Sequence, residues 1–471
     1  MMLTYKNIFQ SLTKIEIDKN GPIITETVID SRRAIPGSLF VALRGERTDG
    51  HQFVNSSFSK GASLALIDKE VDTHYPVVDL RNAQTAPENI PDRQFCIRVE
   101  NCLDSIQEIA RNRRNNLDIK VIGITGSVGK SSTKELVSEV LNHKYHTYKN
   151  PGNYNNEIGL PLTIMNMGSG YERLVLEMGF FYPGEISFLC EIAKPDIGVI
   201  TNIGTVHVER AGTQQAIANG KGELIASLPS NGVAILNYDD PLVKEMASMT
   251  NAQVIFYGLQ SGADIWADNI QGHGLRGISF DLHYYGKTAT LSVPILGKHS
   301  VQTILRACAV GFADGMDWED IIKGLVQSNT QLRLVAVQTH CGALILDDTY
   351  NATPESTIAA LDLLSELEGQ KIAVLGDMLE LGPYEEIGHQ KVGEVVAQKA
   401  DHLVAVGPLS RTIADTARQF GLPPTAITWV ENANQAVDVL KYNLREGDIV
   451  LIKGSHGLRM DRISSQLEEA I

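Results

Sequence analysis

The sequence predicts an α/β protein of three domains, in which a central, doubly wound parallel sheet carries a small β insertion and a second doubly wound domain follows it. Three observations support this prediction. The chain has 471 residues, enough for about three domains. From about residue 106 onward, apolar runs alternate with segments of helical period, as in parallel sheets covered by helices. Residues 264–293 instead alternate polar and apolar side chains, which indicates antiparallel strands.

The first predicted domain covers residues 1–105. Its short apolar runs at 38–43 and 63–67 are separated by Pro-Gly and Asp-Gly turn signals. A polar stretch at 81–93, which contains prolines, indicates a loop or linker near the end of the domain.

The second predicted domain covers residues 106–329 and contains the parallel sheet. Its candidate strands are 120–125, 173–178, 196–201 and 232–237. A helix-period segment at 131–141 follows the first of these strands, and another at 102–115 precedes it. Strands that alternate with helices in this way predict a sheet with helices on both faces.

The third predicted domain covers residues 330–471 and has the most regular pattern. Its candidate strands are 343–348, 371–376, 402–406, 426–430 and 448–453. Its helix-period segments are 354–367, 385–399 and 433–442. This alternation predicts a Rossmann-like, doubly wound α/β domain.

The composition excludes several classes of protein. Lys and Arg total 41 against 56 Asp and Glu, for a net charge of −15, so binding to nucleic acid or to an anionic membrane surface is not expected. No apolar run approaches the length of about 18–20 residues that a membrane span needs, and the first residues lack the pattern of a signal peptide. The five cysteines are scattered, without a C-x-x-C pair. A cytoplasmic enzyme with reduced thiols fits best.

The strongest local motif is a glycine-rich loop between a candidate strand and a candidate helix, with the spacing G-x-x-G-x-x-G-K-S. Gly126 and Gly129 let backbone N–H groups face an anion, and the helix dipole adds to the attraction. Lys130 is placed to contact the terminal phosphates and Ser131 to bind Mg²⁺. The strict pattern has a glycine where Ile124 stands, so this segment, residues 123–131, is a variant. We call it the phosphate loop.

Two further side chains are candidates for holding Mg²⁺ near the phosphates. Glu177 follows an apolar run, so we expect it at the carboxyl end of a strand, where parallel sheets bind their ligands. His207 lies six residues beyond Thr201, which ends another candidate strand. Taken alone, a strand-end acid and a loop histidine are also common as ordinary solvated residues.

Several ordered segments together resemble one family, the Mur ligases, which add amino acids to the peptidoglycan precursor. The segments include DSRRAIPGSLFVALRGERTDGH (30–51), GITGSVGKSSTKE (123–135), NYNNEIGLPLT (153–163), LEMG (176–179), TNIGTVHVE (201–209), DDTYNATPES (347–356), LGDMLELG (375–382) and KGSHGLRMDR (453–462). The resemblance spans nearly the whole chain. Thr-Gly-Ser-x-Gly-Lys-Ser is the family's own form of the phosphate loop, which accounts for the isoleucine at 124.

The resemblance implies an ATP-dependent ligase of the acid–amino-acid type, and it is closest to the members that join D-alanyl-D-alanine to UDP-N-acetylmuramoyl-tripeptide. The reaction would pass through an acyl phosphate, with catalysis mostly by positioning and charge neutralisation. The first domain would bind the UDP-sugar, the central domain ATP, and the C-terminal domain the incoming D-Ala-D-Ala. The resemblance also implies ATP and two Mg²⁺ ions as cofactors, and we expect a monomer.

The resemblance further implies roles for individual residues. The expected ATP contacts are Thr125, Gly126, Ser127, Val128, Gly129, Lys130, Ser131, Ser132, His299, Arg333 and Asp348. The expected Mg²⁺ ligands are Ser131, Glu177, His207 and Lys221, the last as a carbamate formed with CO₂. The expected catalytic residues are Lys130, His207, Lys221 and Arg333. The expected substrate contacts are Ser31, Arg32, Thr48 and Asp49 for the uridine nucleotide, and Asn155 and Asn156 for the muramoyl peptide.

The sequence departs from the family pattern at three places. Ser300 and Thr303 stand where the family usually has the asparagines that bind adenine. His456 replaces an arginine expected near the dipeptide carboxylate, so an imidazole stands where the family has a guanidinium. Phe180 and Phe181 replace a more polar segment and have no role from the sequence.

Two other functions remain open from the sequence. The first is another ligase of the same superfamily: a different Mur ligase, a folylpolyglutamate synthase or a cyanophycin-type enzyme. The second is a regulatory protein that binds nucleotides without catalysis, against which the full set of expected Mg²⁺ ligands argues. The third residue of the tripeptide is not determined by the sequence.

Overall fold

The structure, a computed structural model, describes residues 2–15, 21–81, 91–204, 212–327 and 335–468. Within these residues the strands form three sheets, and helices pack against them. The parallel strands outnumber the antiparallel ones, as the sequence predicts for a doubly wound α/β protein.

The N-terminal sheet is parallel throughout the part of the chain that is described. Its elements are α1 (Tyr5–Thr13), β1 (Thr27–Val28), β2 (Leu39–Val41), α2 (Val54–Ser59), β3 (Leu64–Ile67), β4 (Val77–Asp79) and β5 (Phe95–Arg98). The strand order is β1-β2-β3-β5-β4. Alternate residues of each strand point to opposite faces, so Leu39 and Val41 pack in one core while Phe40 packs in the other with α2.

The central sheet contains the predicted strands and the β insertion. Its elements are α3 (Cys102–Asn115), β6 (Lys120–Thr125), α4 (Lys130–Asn142), β7 (Thr147–Lys149), α5 (Gly159–Asn166), β8 (Arg173–Glu177), α6 (Glu185–Ala193), β9 (Ile197–Ile200), α7 (Gln214–Ala226), β10 (Val233–Asn237), α8 (Pro241–Glu245), β11 (Gln253–Gly258), β12 (Ile265–Gly272), β13 (Ile278–Tyr284), β14 (Lys287–Val293), α9 (Val301–Ala313) and α10 (Trp318–Val326). The strand order is β14-β13-β12-β11-β10-β9-β6-β8-β7. Strands β12 to β14 are antiparallel at one edge, which confirms the prediction for residues 264–293.

The middle of this sheet positions the phosphate loop. Strand β6 lies between β8 and β9, and its burial explains the continuous apolar run that predicts it. Ile124 pairs with Glu177 of β8, and Thr125 pairs with Ile200 of β9. The carboxyl ends of three neighbouring strands therefore meet at the start of the loop.

The C-terminal sheet confirms the second predicted doubly wound domain. Its elements are β15 (Val335–Gln338), β16 (Leu344–Asp348), α11 (Pro354–Glu366), β17 (Gln370–Gly376), α12 (Glu385–Lys399), β18 (His402–Val406), α13 (Ser410–Gln419), β19 (Ile427–Val430), α14 (Ala433–Asn443), β20 (Asp448–Lys453) and α15 (Asp461–Glu468). The order is β15-β16-β20-β17-β18-β19, with β15 antiparallel and the other pairs parallel.

The hydrophobic cores show how the three sheets are connected. One apolar cluster is continuous between the N-terminal and central sheets, since it includes Phe9, Leu66 and Leu176. The C-terminal sheet has separate clusters on its two faces. Helix α3 begins at Cys102, directly after Asn101, whose side chain caps it, so the predicted boundary at residue 105 falls inside this helix.

Among the residues that the structure describes, none of the helices combines the length and apolar character that crossing a membrane requires.

Candidate active site

The phosphate loop joins the end of β6 to the start of α4. Gly126 has φ +144°, and a Cβ on this residue would lie 1.8 Å from Thr201 Oγ1, so only glycine fits there. Gly129 has φ +85° and directly precedes the first residue of α4, Lys130. The loop thus leads into a helix N-terminus, where backbone N–H groups and the helix dipole favour an anion.

Asn202 braces the phosphate loop from the end of β9. Its side-chain oxygen accepts a hydrogen bond from the backbone N–H of Val128 at 2.9 Å, and its carbonyl accepts one from the N–H of Ser127, also at 2.9 Å. The Ser127 hydroxyl in turn accepts a bond from the N–H of Gly204 at 2.8 Å. Asn202 was not predicted as a site residue, although its position directly after a strand of the parallel sheet indicates the edge where ligands bind.

Glu177 lies at the end of β8 with its carboxylate turned toward the phosphate loop. The Ser131 hydroxyl donates a hydrogen bond to Glu177 Oε2, and Asn155 Nδ2 donates one to Oε1 at 2.8 Å. Asn150 holds the Glu177 backbone, because its Oδ1 accepts from the N–H at 2.9 Å and its Nδ2 donates to the carbonyl at 3.2 Å. Glu177 is 3% exposed, so these bonds fix a buried carboxylate beside Ser131.

Two lysines approach the same carbonyl group of the phosphate loop. Lys130 Nζ donates to the Gly126 carbonyl at 2.9 Å and to that of Ser127 at 3.2 Å. Lys221 Nζ, from α7, donates to the Gly126 carbonyl at 3.0 Å. Lys221 is fully buried, and this burial, together with the charge of Lys130, holds its pKa well below the ordinary value of 10.5.

Phe180, which the sequence left without a role, packs against the helix that carries Lys221. The Lys221 ammonium nitrogen lies 4.7 Å from the centre of the Phe180 ring. A Cβ on Gly220 would lie 2.1 Å from Phe180 Cε2, so glycine is needed for this approach. The ring therefore forms part of the apolar wall that buries Lys221. Phe181 lines the large cavity beside the loop.

A cavity of about 820 Å³ lies between the phosphate loop and the C-terminal domain, and we call it the cleft. Its lining includes the predicted ATP contacts Ser127, Val128, Gly129, Lys130, Ser131, Ser132, His299 and Asp348. Thr125 and Gly126 belong to the phosphate loop but not to the described lining of the cleft, and the Thr125 hydroxyl donates to the Met178 carbonyl at 2.9 Å. The lining also includes Glu177 and Asn155 from the central domain, and Tyr350 and His456 from the C-terminal domain.

Asp348 reaches the cleft at the end of β16, where Lys453 of the neighbouring strand β20 pairs with it in register. Lys453 Nζ donates to Asp348 Oδ2 at 2.6 Å and to the Asn351 carbonyl at 2.9 Å. Lys453 is buried, so the ion pair fixes the orientation of the Asp348 carboxylate. His456 is exposed, and its ring centre lies 6.3 Å from that of Tyr350.

The two residues that replace the family's asparagines are buried, and their hydroxyls bond within the protein. Ser300 Oγ donates to the Leu296 carbonyl at 2.6 Å. Thr303 Oγ1 accepts from Arg306 Nη2 at 2.7 Å. Arg306 also lines the cleft, and it was not predicted as a site residue.

The residues predicted for the uridine nucleotide lie in the N-terminal domain and are absent from the described lining of the cleft. Ser31 is buried in a single helical turn, and Arg32 is exposed and paired with Asp30 at 2.8 Å. Thr48 is exposed in a turn, whereas Asp49 is bonded to His51 Nδ1 at 2.7 Å and to Lys69.

The two asparagines predicted for the muramoyl peptide separate in the structure. Asn155 contacts Glu177, whereas Asn156 Oδ1 accepts from the backbone N–H of Gly159 at 2.9 Å and so caps the start of α5. His207 and Arg333 lie outside the described residues.

The comparisons with known proteins agree with this geometry. Residues 23–114 match the Mur ligase family catalytic domain, residues 124–311 the Mur ligase middle domain, and residues 332–456 the Mur ligase glutamate ligase domain. A phosphate loop on a doubly wound sheet, facing a second α/β domain across a cleft, defines a nucleotide-dependent ligase. The chain belongs to the Mur ligase family.

Individual relatives extend over the full chain. A UDP-N-acetylmuramoyl-tripeptide–D-alanyl-D-alanine ligase of Bacillus subtilis (strain 168) is 36% identical, over 99% of this chain and 98% of its own. The crystal structure of MurF from Acinetobacter baumannii has a TM-score of 0.82 and 28% identity, covering 99% of each chain. That of MurF ligase from Thermotoga maritima in complex with ADP has a TM-score of 0.78 and 28% identity, covering 98% of each chain.

Proposed function

We propose that this chain joins D-alanyl-D-alanine to UDP-N-acetylmuramoyl-tripeptide with hydrolysis of ATP, as a step of peptidoglycan precursor synthesis. The observation that carries the proposal is the cleft, because it brings the phosphate loop and Glu177 opposite Asp348 and His456 of the C-terminal domain. The full-length similarity to ligases named for this reaction supports the choice of substrates.

The chemistry requires activation of a carboxylate. A carboxylate does not acylate an amine at neutral pH, because its oxygen is a poor leaving group. Transfer of the γ-phosphoryl group of ATP to one carboxylate oxygen of the tripeptide releases ADP and forms an acyl phosphate. The amine of D-Ala-D-Ala then attacks the acyl carbon, loses a proton, and displaces inorganic phosphate as the amide bond forms.

The phosphate loop supplies most of the positioning in the first step. Backbone N–H groups of the loop and the start of α4 bind the α and β phosphates, while Lys130 leaves the loop carbonyls and neutralises charge on the transferred group. Because the backbone N–H groups are fixed before the reaction, they stabilise negative charge on the phosphates without reorganisation.

Mg²⁺ fits the group of oxygen donors beside the loop. The Ser131 hydroxyl and the Glu177 carboxylate already contact each other, and both are hard oxygen ligands of the kind that Mg²⁺ prefers. Ser131 and Glu177 would hold one ion, and His207 and Lys221 would help to hold a second. The ions would neutralise the phosphate oxygens.

Lys221 is suited to carbamylation rather than to metal binding as a free amine. A protonated lysine would repel the metals, whereas a carbamate is an anion with oxygen donors. Formation of a carbamate requires the unprotonated amine, and the burial that lowers the Lys221 pKa favours this form near neutral pH. The carbamate would keep one N–H on Nζ, so the hydrogen bond to the Gly126 carbonyl can persist while the new oxygens face the metals.

The C-terminal domain would complete the site. Asp348 would bind the ribose, Arg333 would contact the γ-phosphate, and His456 would lie near the carboxylate of D-Ala-D-Ala. The cores of this domain are separate from the core that the first two domains share, which allows it to move as a unit. Closure over the bound substrates would exclude water from the acyl phosphate.

The remaining assignments follow the domains predicted from the sequence. Residues 1–105 would bind the UDP-sugar through Ser31, Arg32, Thr48 and Asp49, residues 106–329 would bind ATP, and residues 330–471 would bind the dipeptide. Asn155 and Asn156 would lie near the muramoyl peptide. We expect a cytoplasmic monomer, because ATP is a cytoplasmic substrate and one chain contains all three substrate regions.

Phosphate release by the purified protein tests this function. Release is expected only when ATP, UDP-tripeptide and D-Ala-D-Ala are all present, with the amide product identified by mass. The Lys130→Ala variant should lose the reaction. Profiling with other amino acids and with folate substrates separates this ligase from others of the superfamily. ATP that remains intact with all substrates present would contradict the proposal and favour a regulatory nucleotide-binding protein.

A further inference from the structure

Arg306 is a buried cation whose hydrogen-bond partners are all neutral. It lies on α9 and is 4% exposed. Its Nε donates to Thr133 Oγ1 at 2.8 Å, its Nη1 to the Tyr257 hydroxyl at 3.3 Å, and its Nη2 to Thr303 Oγ1 at 2.7 Å. Among the described residues, none of the carboxylates forms an ion pair with it.

A guanidinium in this setting is costly unless an anion joins it. Burial of a charge without a partner of opposite charge costs several kcal/mol. A guanidinium carries five N–H groups, and three hydroxyl acceptors leave part of this donor capacity unused. The hydroxyls solvate the ion but do not neutralise it. An anionic ligand that binds beside Arg306 would supply the missing charge.

The position of Arg306 indicates which anion this is. Its Nη2 lies 3.2 Å from the point that a Cβ on Gly129 would occupy, so the absence of a side chain there leaves the guanidinium next to the phosphate loop. Thr133, which accepts the hydrogen bond from Arg306 Nε, lies in the first turn of α4. Arg306 also lines the cleft. In a loop of this kind the lysine, here Lys130, contacts the β and γ phosphates, and the backbone N–H groups contact the α and β phosphates.

We propose that Arg306 contacts the nucleotide and binds the α/β part of the ATP phosphate chain, on the side of the loop that faces α9. It thereby supplies positive charge at the end of the phosphate chain that Lys130 does not reach. The inference rests on the proposed nucleotide site and not on the identity of the amine or the UDP-sugar. A bound phosphate oxygen gives the guanidinium the counter-charge that its neutral partners lack, and Thr133 and Thr303 fix its plane for this contact.

Direct binding measurements on the full chain test the contact. ADP, GDP and inorganic tripolyphosphate are titrated calorimetrically, with Mg²⁺, into the wild-type protein and into Arg306→Met. A charge-assisted hydrogen bond contributes about 1.5–3 kcal/mol, so ADP affinity should fall by about 10- to 100-fold. Affinity for tripolyphosphate and GDP should fall by a similar factor, because the proposed contact is with phosphate and not with the base.

Arg114→Met is the matched control. Arg114 is also buried and hydrogen-bonded, through Nε to the Ala193 carbonyl at 2.7 Å and through Nη2 to the Lys194 carbonyl at 3.0 Å. It lies on α3 and is not part of the described cleft lining. This variant should lower the melting temperature and leave ADP affinity unchanged. Arg306→Met should show the reverse pattern, because it removes a buried charge that has no counter-ion in the free protein.

Three results would overturn the inference. One is wild-type ADP affinity in Arg306→Met. Another is loss of ADP binding with tripolyphosphate binding retained, which would move the contact to the ribose or the base. The third is a lower melting temperature of Arg306→Met with an ADP affinity that falls no more than in Arg114→Met, which would show that Arg306 has only a structural role. If Arg306→Met does not fold, Arg306→Lys keeps the charge but not the planar fork, and a smaller loss of ADP and tripolyphosphate affinity is expected. Failure of ligation alone would contradict the proposed substrates but not this contact.

Discussion

Asn155 Nδ2 donates a hydrogen bond to Glu177 Oε1 at 2.8 Å, from a loop that lies 22 positions earlier in the chain. The other carboxylate oxygen, Oε2, accepts the bond from Ser131. Asn155 therefore fixes the rotation of a buried acid that faces the phosphate loop. A partner of this kind orients a metal ligand, and its loss typically lowers metal affinity by about 10- to 100-fold.

Asn155→Ala should weaken the binding of Mg²⁺. Without the amide, the Glu177 carboxylate can rotate, and the Mg²⁺ concentration for half-maximal phosphate release should rise by about 10- to 100-fold. The measurement is a Mg²⁺ titration of phosphate release at saturating ATP.

The adjacent Asn156→Ala variant is the control for this experiment. Asn156 caps α5, so its loss should lower stability by about 1 kcal/mol and leave the Mg²⁺ titration unchanged. Equal Mg²⁺ curves for wild type and Asn155→Ala would show that the amide does not orient a metal ligand.

Wild-type activity should depend on CO₂ if Lys221 is carbamylated. Activity should fall in CO₂-depleted buffer and return with bicarbonate, while Lys221→Ala should be inactive in both and regain part of its activity with small carboxylates. Carbon-13-labelled bicarbonate should give a carbamate signal in the wild type alone. The physical reason is burial, which lowers the pKa of the Lys221 amine and so favours the neutral form that reacts with CO₂.

Lys134→Ala is the control lysine, because Lys134 is also buried and donates to the carbonyls of Asn150 at 2.9 Å and Gly152 at 3.2 Å. It should lose stability but keep the wild-type dependence on bicarbonate, and small carboxylates should not raise its activity. A wild-type protein indifferent to CO₂ would argue against the carbamate.

Selection of adenine over guanine should be weak. The hydroxyls of Ser300 and Thr303 are bonded to Leu296 and Arg306, whereas an asparagine amide presents both a donor and an acceptor to a base edge. We expect kcat/KM for ATP and GTP to differ by less than about tenfold, and the double variant with Ser300→Asn and Thr303→Asn to increase that ratio. Ser300→Ala serves as the control and should not change it. A strong preference for ATP in the wild type would mean that other groups select the base.

Asp49→Asn should lower stability at neutral pH. Hydrogen bonds from Lys69 and then from His51 hold the pKa of Asp49 well below its ordinary value of 3.8. A depressed carboxyl pKa contributes stability above the unfolded value, and this contribution is lost as the pH falls from about 3.8 toward the folded pKa. The urea midpoint of the variant should therefore be lower at pH 7, and the difference should shrink below about pH 4.

The same variant separates two roles of Asp49. If this residue mainly stabilises the turn that precedes His51, the KM for the UDP-sugar should change little. A large rise in that KM with an unchanged urea midpoint would instead identify Asp49 as a uridine contact.

Much of the fold was predictable because its signals are local. Strands β6 and β18 and helices α3 and α12 lie where the apolar periodicity places them, since a buried parallel strand is a continuous apolar run and an amphipathic helix repeats every 3.6 residues. Helices α7 and α13 were not predicted. Helix α7 has Gly220 and Gly222 on either side of Lys221, where Phe180 and Met249 approach closely, and these glycines weaken its apolar periodicity.

By itself, the sequence determined the order of strands and helices, the phosphate loop and the placement of Glu177 at a strand end, because each depends on neighbouring residues. The tertiary structure decided which distant side chains meet there. Asn202 braces the loop, Asn155 turns Glu177, Phe180 covers Lys221, and Arg306 reaches Gly129 from another helix. These partners come from segments far apart in the chain, and only the packing of sheets and helices fixes the distances between them.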